Sequence, residues 1–235
     1  MILFPAIDIR GGKCVRLLKG DFNQSKEYNK SPLEQAKTFI SFGFKNLHII
    51  DLDGALKGKS FIKNTISEIS KLEGAKIQIG GGIRTLEQIK EFIDLGVDKV
   101  ILGTKAIQDR SFLENACKKF SGKIALSVDV KKNLVALSGW TKQTNISAKN
   151  FINEVKDLNI SRIIYTDIDK DGTKTGPNIN ETLLLSKLTK IPFIISGGVS
   201  SIKDISSIKE KKMENIKGVI IGKAIYDGNI DLKEL

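Results

Sequence analysis

A pattern that occurs twice limits this chain more than any single motif does. Ile77-Gln78-Ile79-Gly80-Gly81-Gly82-Ile83-Arg84 is a short apolar run that ends in three glycines and passes directly into a helical pattern. Ile194-Ile195-Ser196-Gly197-Gly198-Val199-Ser200 repeats it, with Gly197 and Gly198 standing 116 positions after Gly81 and Gly82 (197 − 81). Three further pairs keep the same order. Ala6-Ile7-Asp8-Ile9 matches Ser127-Val128-Asp129-Val130 at 121 (129 − 8), Asp51-Leu52-Asp53 matches Asp167-Ile168-Asp169 at 116 (167 − 51), and Gly103-Thr104-Lys105-Ala106 loosely matches Gly222-Lys223-Ala224 at 119 (222 − 103). A period this long excludes a short-repeat solenoid and predicts two halves related by an approximate two-fold axis.

Between and around these matches, apolar β-branched runs suited to buried parallel strands recur eight times. They lie at Ile2 to Ile9, Asn46 to Leu52, Ala75 to Ile79, Lys99 to Leu102, Ile124 to Val130, Arg162 to Asp167, Phe193 to Ser196 and Gly218 to Ile221. Helical stretches such as Leu33 to Phe42, Thr85 to Leu95 and Ala148 to Leu158 separate most of them, with apolar residues three and four apart. Alternation of this kind predicts an α/β fold with a parallel sheet, and eight units suit a closed single (βα)8 (TIM) barrel with half-barrel duplication. One domain over residues 1–235 is expected, with half-barrels of about 1–120 and 121–235. An open doubly wound sheet is the alternative fold.

Composition narrows the partners. The 235 residues, 40% hydrophobic, suffice for one sizeable core. A net charge of +11 raises nucleic-acid binding, yet the lysines stand beside acidic residues, as in Lys209-Glu210-Lys211-Lys212, which reads as a solvated helix face. The same balance steers a small polyanion toward a cleft. The opening segment is too soon acidic for a signal peptide and no run spans a bilayer, so a cytoplasmic chain with no membrane or nucleic-acid partner is expected, taken as a monomer. Cys14 and Cys117 lack metal-ligand spacing and read as reduced structural thiols.

In a barrel all strand C-termini open onto one face, where the loops build the site. Gly81 and Gly82 with Gly103-Thr104, and Gly197 and Gly198 with Gly222-Lys223, then form two phosphate cradles on opposite rims, because glycine turns at strand ends bare backbone N–H groups. The expected ligand is long, with a phosphate at each end. Asp8 and Asp129 end facing strands, where two carboxylates divide general acid and base work; each alone would read as a strand-end cap. Asp167-Ile168-Asp169-Lys170-Asp171-Gly172 resembles the start of a calcium loop, but Asn178 holds position twelve and Gly176-Pro177 interrupts it, so calcium is rejected. His48 is the only histidine, which removes a serine triad or a multi-histidine metal site; it reads as a core histidine or as a substrate contact. Trp140, the only tryptophan, follows Gly139 after the fifth strand, placed to pack or to stack on a flat heterocycle.

Taken together, Pro5-Ala6-Ile7-Asp8, Gly12-Lys13, Val15-Arg16-Leu17, Leu47 to Ala55, Gln78 to Arg84, Leu102-Gly103-Thr104, Gly139-Trp140, Thr166-Asp167-Ile168, Asp171-Gly172, Ser196-Gly197-Gly198 and Ile221-Gly222-Lys223-Ala224 resemble the histidine-biosynthesis isomerase family that acts on phosphoribosylformimino-aminoimidazole carboxamide ribotide. The resemblance implies an Amadori rearrangement of an aminoaldose to an aminoketose, with no cofactor and no metal, on a small molecule carrying two phosphates. It implies Asp129 as general acid on the ribose ring oxygen and Asp8 as base on the C2 proton. Asp171 and Thr166 match positions near the reacting centre, and Arg16 and Trp140 match positions that close over the substrate. Arg84, Gly172 and Gly176 complete the expected substrate-binding set. The sister cyclase subunit of imidazole glycerol phosphate synthase shares the aspartates and both cradles, but normally has Cys where this chain has Ala6, and Gly139-Trp140 also favours the isomerase. Two more distant readings are a dual-substrate isomerase acting also on phosphoribosylanthranilate, and a catalytically silent bis-phosphate sensor, against which the intact Asp8 and Asp129 argue.

Overall fold

The computed structural model describes residues 1–211 and 213–235, so Lys212 of the lysine-rich stretch lies outside the described residues, while Lys209, Glu210 and Lys211 are exposed. The strands are β1 (Ile2–Arg10), β2 (Lys13–Leu18), β3 (Asp21–Glu27), β4 (Asn46–Asp51), β5 (Lys76–Gly80), β6 (Lys99–Leu102), β7 (Ile124–Lys131), β8 (Leu134–Leu137), β9 (Lys142–Ser147), β10 (Arg162–Asp167), β11 (Phe193–Ser196) and β12 (Ile216–Ile221). Parallel pairing runs β1, β4, β5, β6, β7, and a β7–β10 pairing carries it on through β11 and β12 back to β1. Eight strands close into a (βα)8 barrel in which β1 and β7 face each other.

The helices are α1 (Pro32–Ser41), α2 (Leu52–Lys57), α3 (Lys63–Ser70), α4 (Leu86–Asp94), α5 (Thr104–Gln108), α6 (Arg110–Lys119), α7 (Ala148–Val155), α8 (Ile179–Ser186), α9 (Ile202–Glu210) and α10 (Lys223–Tyr226). Capping boxes start α1 at Ser31 with Glu34, α4 at Thr85 with Gln88 and α9 at Ser201 with Asp204. Strand alternation sends Ile7, Ile9, Leu47, Ile49, Ile77 and Ile79 outward under the helices. It sends Phe4, Ala6, Ile101, Ala125, Ile164, Ile194 and Ile220 into a second, smaller core inside the barrel. Among the described residues no helix is long and apolar enough to cross a membrane.

Two hairpins leave the barrel at matching places. β2 and β3 extend antiparallel from β1, and β8 and β9 extend from β7. Lys13 and Leu134, which open β2 and β8, are 121 positions apart (134 − 13), the spacing of Asp8 and Asp129. Capping is duplicated as well. Asp53 accepts from the Gly11 N–H at 2.7 Å behind β1, and Asp169 accepts from the Lys132 N–H at 3.3 Å behind β7. These carboxylates, and Asp51 and Asp167 before them, fix the loops that carry the site.

Candidate active site

The strand C-termini surround one cavity of about 220 Å³. Asp8 enters it from β1 and Asp129 from β7, across the barrel axis. Their surroundings differ. Arg16 lies beneath Asp8, only 7% exposed, and donates to Asp8 Oδ2 at 2.6 Å. Its second Nη donates to the Ala6 carbonyl, which also accepts the Tyr226 hydroxyl at 3.0 Å, and its guanidinium carbon sits 4.6 Å from the Tyr226 ring centroid. Burial opposes the guanidinium charge most, but Asp8, by its charge and its hydrogen bond, together with Tyr226 and Asp171 outweighs it and keeps Arg16 protonated. In this structure Arg16 therefore supports the Asp8 carboxylate from below instead of lying over the mouth.

Among the described residues Asp129 has no cation beside it. The Ser127 hydroxyl donates to its Oδ1 at 2.9 Å, and strand register sets Thr166 next to it. Burial pushes its pKa up, while the donors of the neighbouring Trp140 and Thr166 and the Ser127 hydrogen bond pull it back only in part, so this carboxyl holds a proton more readily than an exposed one. Asp171, in the loop after β10, completes the group; burial first, and then the negative charge of Asp8, push it up to about 7. The Asp171 backbone is tied to the first hairpin, since its carbonyl accepts from the Lys19 N–H at 3.2 Å.

Both rims carry glycine cradles. Gly81 and Gly82 have φ of +108° and +73°, and Gly197 and Gly198 have +84° and +87°. Close approach adds to this backbone demand: a Cβ on Gly197 would lie 2.8 Å from the Asp167 carbonyl oxygen, and one on Gly81 would press still harder on that of Asp51. Gly103 (φ −123°, ψ −107°) and Gly222 (φ −116°, ψ −103°) adopt nearly the same uncommon backbone, each opening a short helix. Among the described residues the N–H groups of Gly82, Thr104, Gly198 and Lys223 donate in no backbone hydrogen bond outside the regular elements. Two sets of N–H groups on opposite rims thus suit two anions. Lys223 Nζ donates to the Gly172 carbonyl at 3.0 Å at one rim, and at the other Thr104 Oγ1 accepts from the Ser138 N–H at 2.8 Å.

The hairpin tips meet over the mouth. Ser138, Gly139 and Trp140 all have positive φ, a sparsely populated backbone that packs the Trp140 indole against Gly20 of the first hairpin. Asp227 after α10 holds that hairpin down, accepting from Lys26 at 2.9 Å, Tyr28 at 3.0 Å and Lys174 at 3.1 Å. His48 lines the cavity from β4 with Nδ1 2.9 Å from Gln78 Nε2, and burial together with the Arg16 charge pushes the imidazole down to about 3, keeping it neutral. Arg84 lines the cavity and reaches back over Gly58 toward the Ala55 carbonyl, 3.5 Å away.

The cavity brings together Asp8, Arg16, His48, Gly81, Gly82, Arg84, Gly103, Thr104, Asp129, Trp140, Thr166, Asp171, Gly172, Gly197, Gly198, Gly222 and Lys223. Gly176 stands one layer back: its N–H donates to the Gly198 carbonyl at 3.0 Å, so it braces the cradle from outside the lining. Sequence reasoning missed Ser127, Gly20, Tyr226 and Asp227. Only Ser127 had a signal, standing two residues before Asp129 and so on the same strand face.

Fold and site define a (βα)8 barrel whose mouth sets two opposed carboxyl groups between two anion cradles. The chain belongs to the histidine biosynthesis protein family, which it matches over residues 2–231. It is 52% identical over 235 residues to the 1-(5-phosphoribosyl)-5-((5-phosphoribosylamino)methylideneamino) imidazole-4-carboxamide isomerase of Pelagibacter ubique (strain HTCC1062), covering 100% of this chain and 98% of the relative. Proteins of the same name from Oceanobacillus iheyensis (46% identity, 100% and 97% covered) and Syntrophus aciditrophicus (44% identity, 100% and 97% covered) are also similar throughout.

Proposed function

We propose that this chain is the isomerase its relatives are named for, converting the bis-phosphorylated aminoaldose to the aminoketose by an Amadori rearrangement. The observation that carries the reading is the unequal pair of carboxyl groups between two glycine cradles. Gly81, Gly82, Gly103 and Thr104 hold one phosphate, and Gly197, Gly198, Gly222 and Lys223 the other, so the reacting ribose is spread across the mouth. Asp129, whose pKa is raised by burial, gives a proton to the ring oxygen and opens the sugar to an iminium. Asp8, ion-paired to Arg16, takes the C2 proton and leaves an enolamine. Protonation at C1 with loss of the C2 hydroxyl proton then gives the ketose, so no atom is gained or lost. Trp140 packed on Gly20 excludes water that would hydrolyse the iminium.

We read residues 1–235 as one domain built from half-barrels of about 1–120 and 121–235, acting as a cytoplasmic monomer. The test is turnover of the purified protein with no ammonia supplied, followed by the absorbance change on isomerisation. Asp8→Asn is expected to reduce turnover at least ~1000-fold while product affinity stays within a few fold. Retained turnover, or a collapse of binding, removes Asp8 from the role of base.

A further inference from the structure

A polar chain runs through the inside of the barrel beside its small apolar core. Arg162 at the start of β10, Gln78 on β5 and His48 on β4 form it, beside Phe4, Ala6 and Ile164. Arg162 Nη1 donates to Gln78 Oε1 at 3.3 Å, and Gln78 Nε2 lies 2.9 Å from His48 Nδ1. Gln78 and His48 are only 2% and 8% exposed, so each polar group has to be matched with a partner of the correct kind.

The donor and acceptor inventory leaves one solution. A guanidinium has donors only, so Gln78 turns its carbonyl oxygen toward Arg162 and its NH2 toward His48. That NH2 needs an acceptor, so His48 Nδ1 carries no proton and the neutral ring bears its hydrogen on Nε2. Among the described residues the buried polar side-chain atoms without a partner are Arg16 Nε and the Tyr165 hydroxyl. His48 Nε2 is therefore not sealed in the core, and His48 is part of the cavity lining. The ring stays neutral because burial and the neighbouring Arg16 both disfavour an imidazolium.

We propose that Arg162 and Gln78 are positioning residues that lock His48 as an Nε2–H donor, presented to an oxygen acceptor on the middle of the bound ligand. The ligand half of this rests on the isomerase reading; the locked proton does not. A donor fixed in this way reads a hydroxyl or carbonyl oxygen and repels a second donor, which gives the cavity a preference that neither anion cradle supplies.

The test uses the full chain labelled with 15N-histidine, in which the single histidine gives one imidazole to assign. Long-range 1H–15N spectra at neutral pH are expected to show one form, protonated at Nε2 and bare at Nδ1. Gln78→Glu puts an acceptor in place of the donor while pairing with Arg162, and is expected to protonate Nδ1. Arg162→Lys, which keeps a donor toward Gln78, is expected to leave the wild-type pattern. A wild-type ring protonated at Nδ1, an averaged mixture of the two forms, or a Gln78→Glu ring whose Nδ1 stays bare overturns the lock. Should Gln78→Glu fail to fold, the wild-type and Arg162→Lys spectra still decide it. Addition of the aminoketose product, with binding registered by the fluorescence of the single tryptophan, is expected to shift the Nε2–H resonance. Gln78→Glu should raise KM roughly five- to tenfold with a smaller change in kcat, the loss of one neutral hydrogen bond. Product that binds without moving that resonance removes the ligand contact. Absence of any product binding instead rejects the isomerase reading, and the free-protein spectra still judge the lock.

Discussion

Replacing Asp171 with Asn changes one oxygen for an NH2 in a group that is crowded by like charge. Burial contributes most to the displacement of its pKa from the ordinary 3.8 to about 7, the carboxylate of Asp8 comes next, and Arg16 offsets part of it. A carboxyl raised in this way keeps its proton in the native state after the unfolded chain has released it. Stability therefore falls as pH rises from about 4 to about 7, and stays lower above that range. The interval from 3.8 to about 7 is equivalent to about 4 kcal/mol. Asp171 keeps some contact with solvent through the mouth, and about half of that value is expected to survive screening. Asp171→Asn should thus stabilise the protein by about 2 kcal/mol relative to wild type at about pH 8.5, and hardly at all at about pH 4. Urea unfolding of both proteins at the two pH values measures the difference directly. An equal change at both, or a larger gain in acid, would refute the assignment of a destabilising charge to Asp171.

Asp227 is held down to about 2, since the hydrogen bonds from Lys26, Lys174 and Tyr28 outweigh its burial, so its clasp on the first hairpin is intact above ordinary carboxylate pKa values and is lost only as pH falls through about 2. Asp227→Ala should free that hairpin at neutral pH, seen as faster tryptic cleavage after Lys19; an unchanged cleavage rate means the clasp does not hold the tip. At the cradles, Gly81→Ala should cost more stability than Gly197→Ala, because its Cβ is driven closer to the facing carbonyl, and both should raise KM. Equal melting temperatures for the two variants would show that those carbonyls yield freely.

The eight barrel strands were legible because most centre on an apolar, β-branched run buried on both faces, as in Ile124–Lys131 and Ile216–Ile221. The hairpins were not. β3 (Asp-Phe-Asn-Gln-Ser-Lys-Glu) and β9 (Lys-Gln-Thr-Asn-Ile-Ser) pair only with another hairpin strand above the barrel and bury no regular face, so no hydrophobic period marks them. Missing β2 as a strand also concealed the position of Arg16. As a loop residue it is a candidate to cover ligand; with its β2 neighbour Val15 paired opposite Asp8, its guanidinium turns inward to the carboxylate. The glycine pairs, in contrast, were legible twice over, since a backbone that needs positive φ and close approach leaves the chain little choice but glycine.

Duplication by itself yields two equal carboxylates, and two equal carboxylates do not divide acid from base. The difference arises at three positions around each Asp, which can be compared across the repeat. Ala6 corresponds to Ser127 (127 − 6 is 121), Ile50 to Thr166 (166 − 50 is 116) and Arg16 to Leu137 (137 − 16 is 121). Around Asp8 these are a methyl group, an apolar chain and a cation; beside Asp129 stand two hydroxyls, and the repeat position of the cation is an apolar chain in the cavity lining. The first set places a guanidinium against the carboxylate. The second offers only neutral donors to a carboxyl whose pKa burial raises. The two-fold scaffold therefore supplies the symmetric ends of the site, and the divergent side chains at each centre make its two carboxyl groups unequal, as the proposed division into base and acid requires.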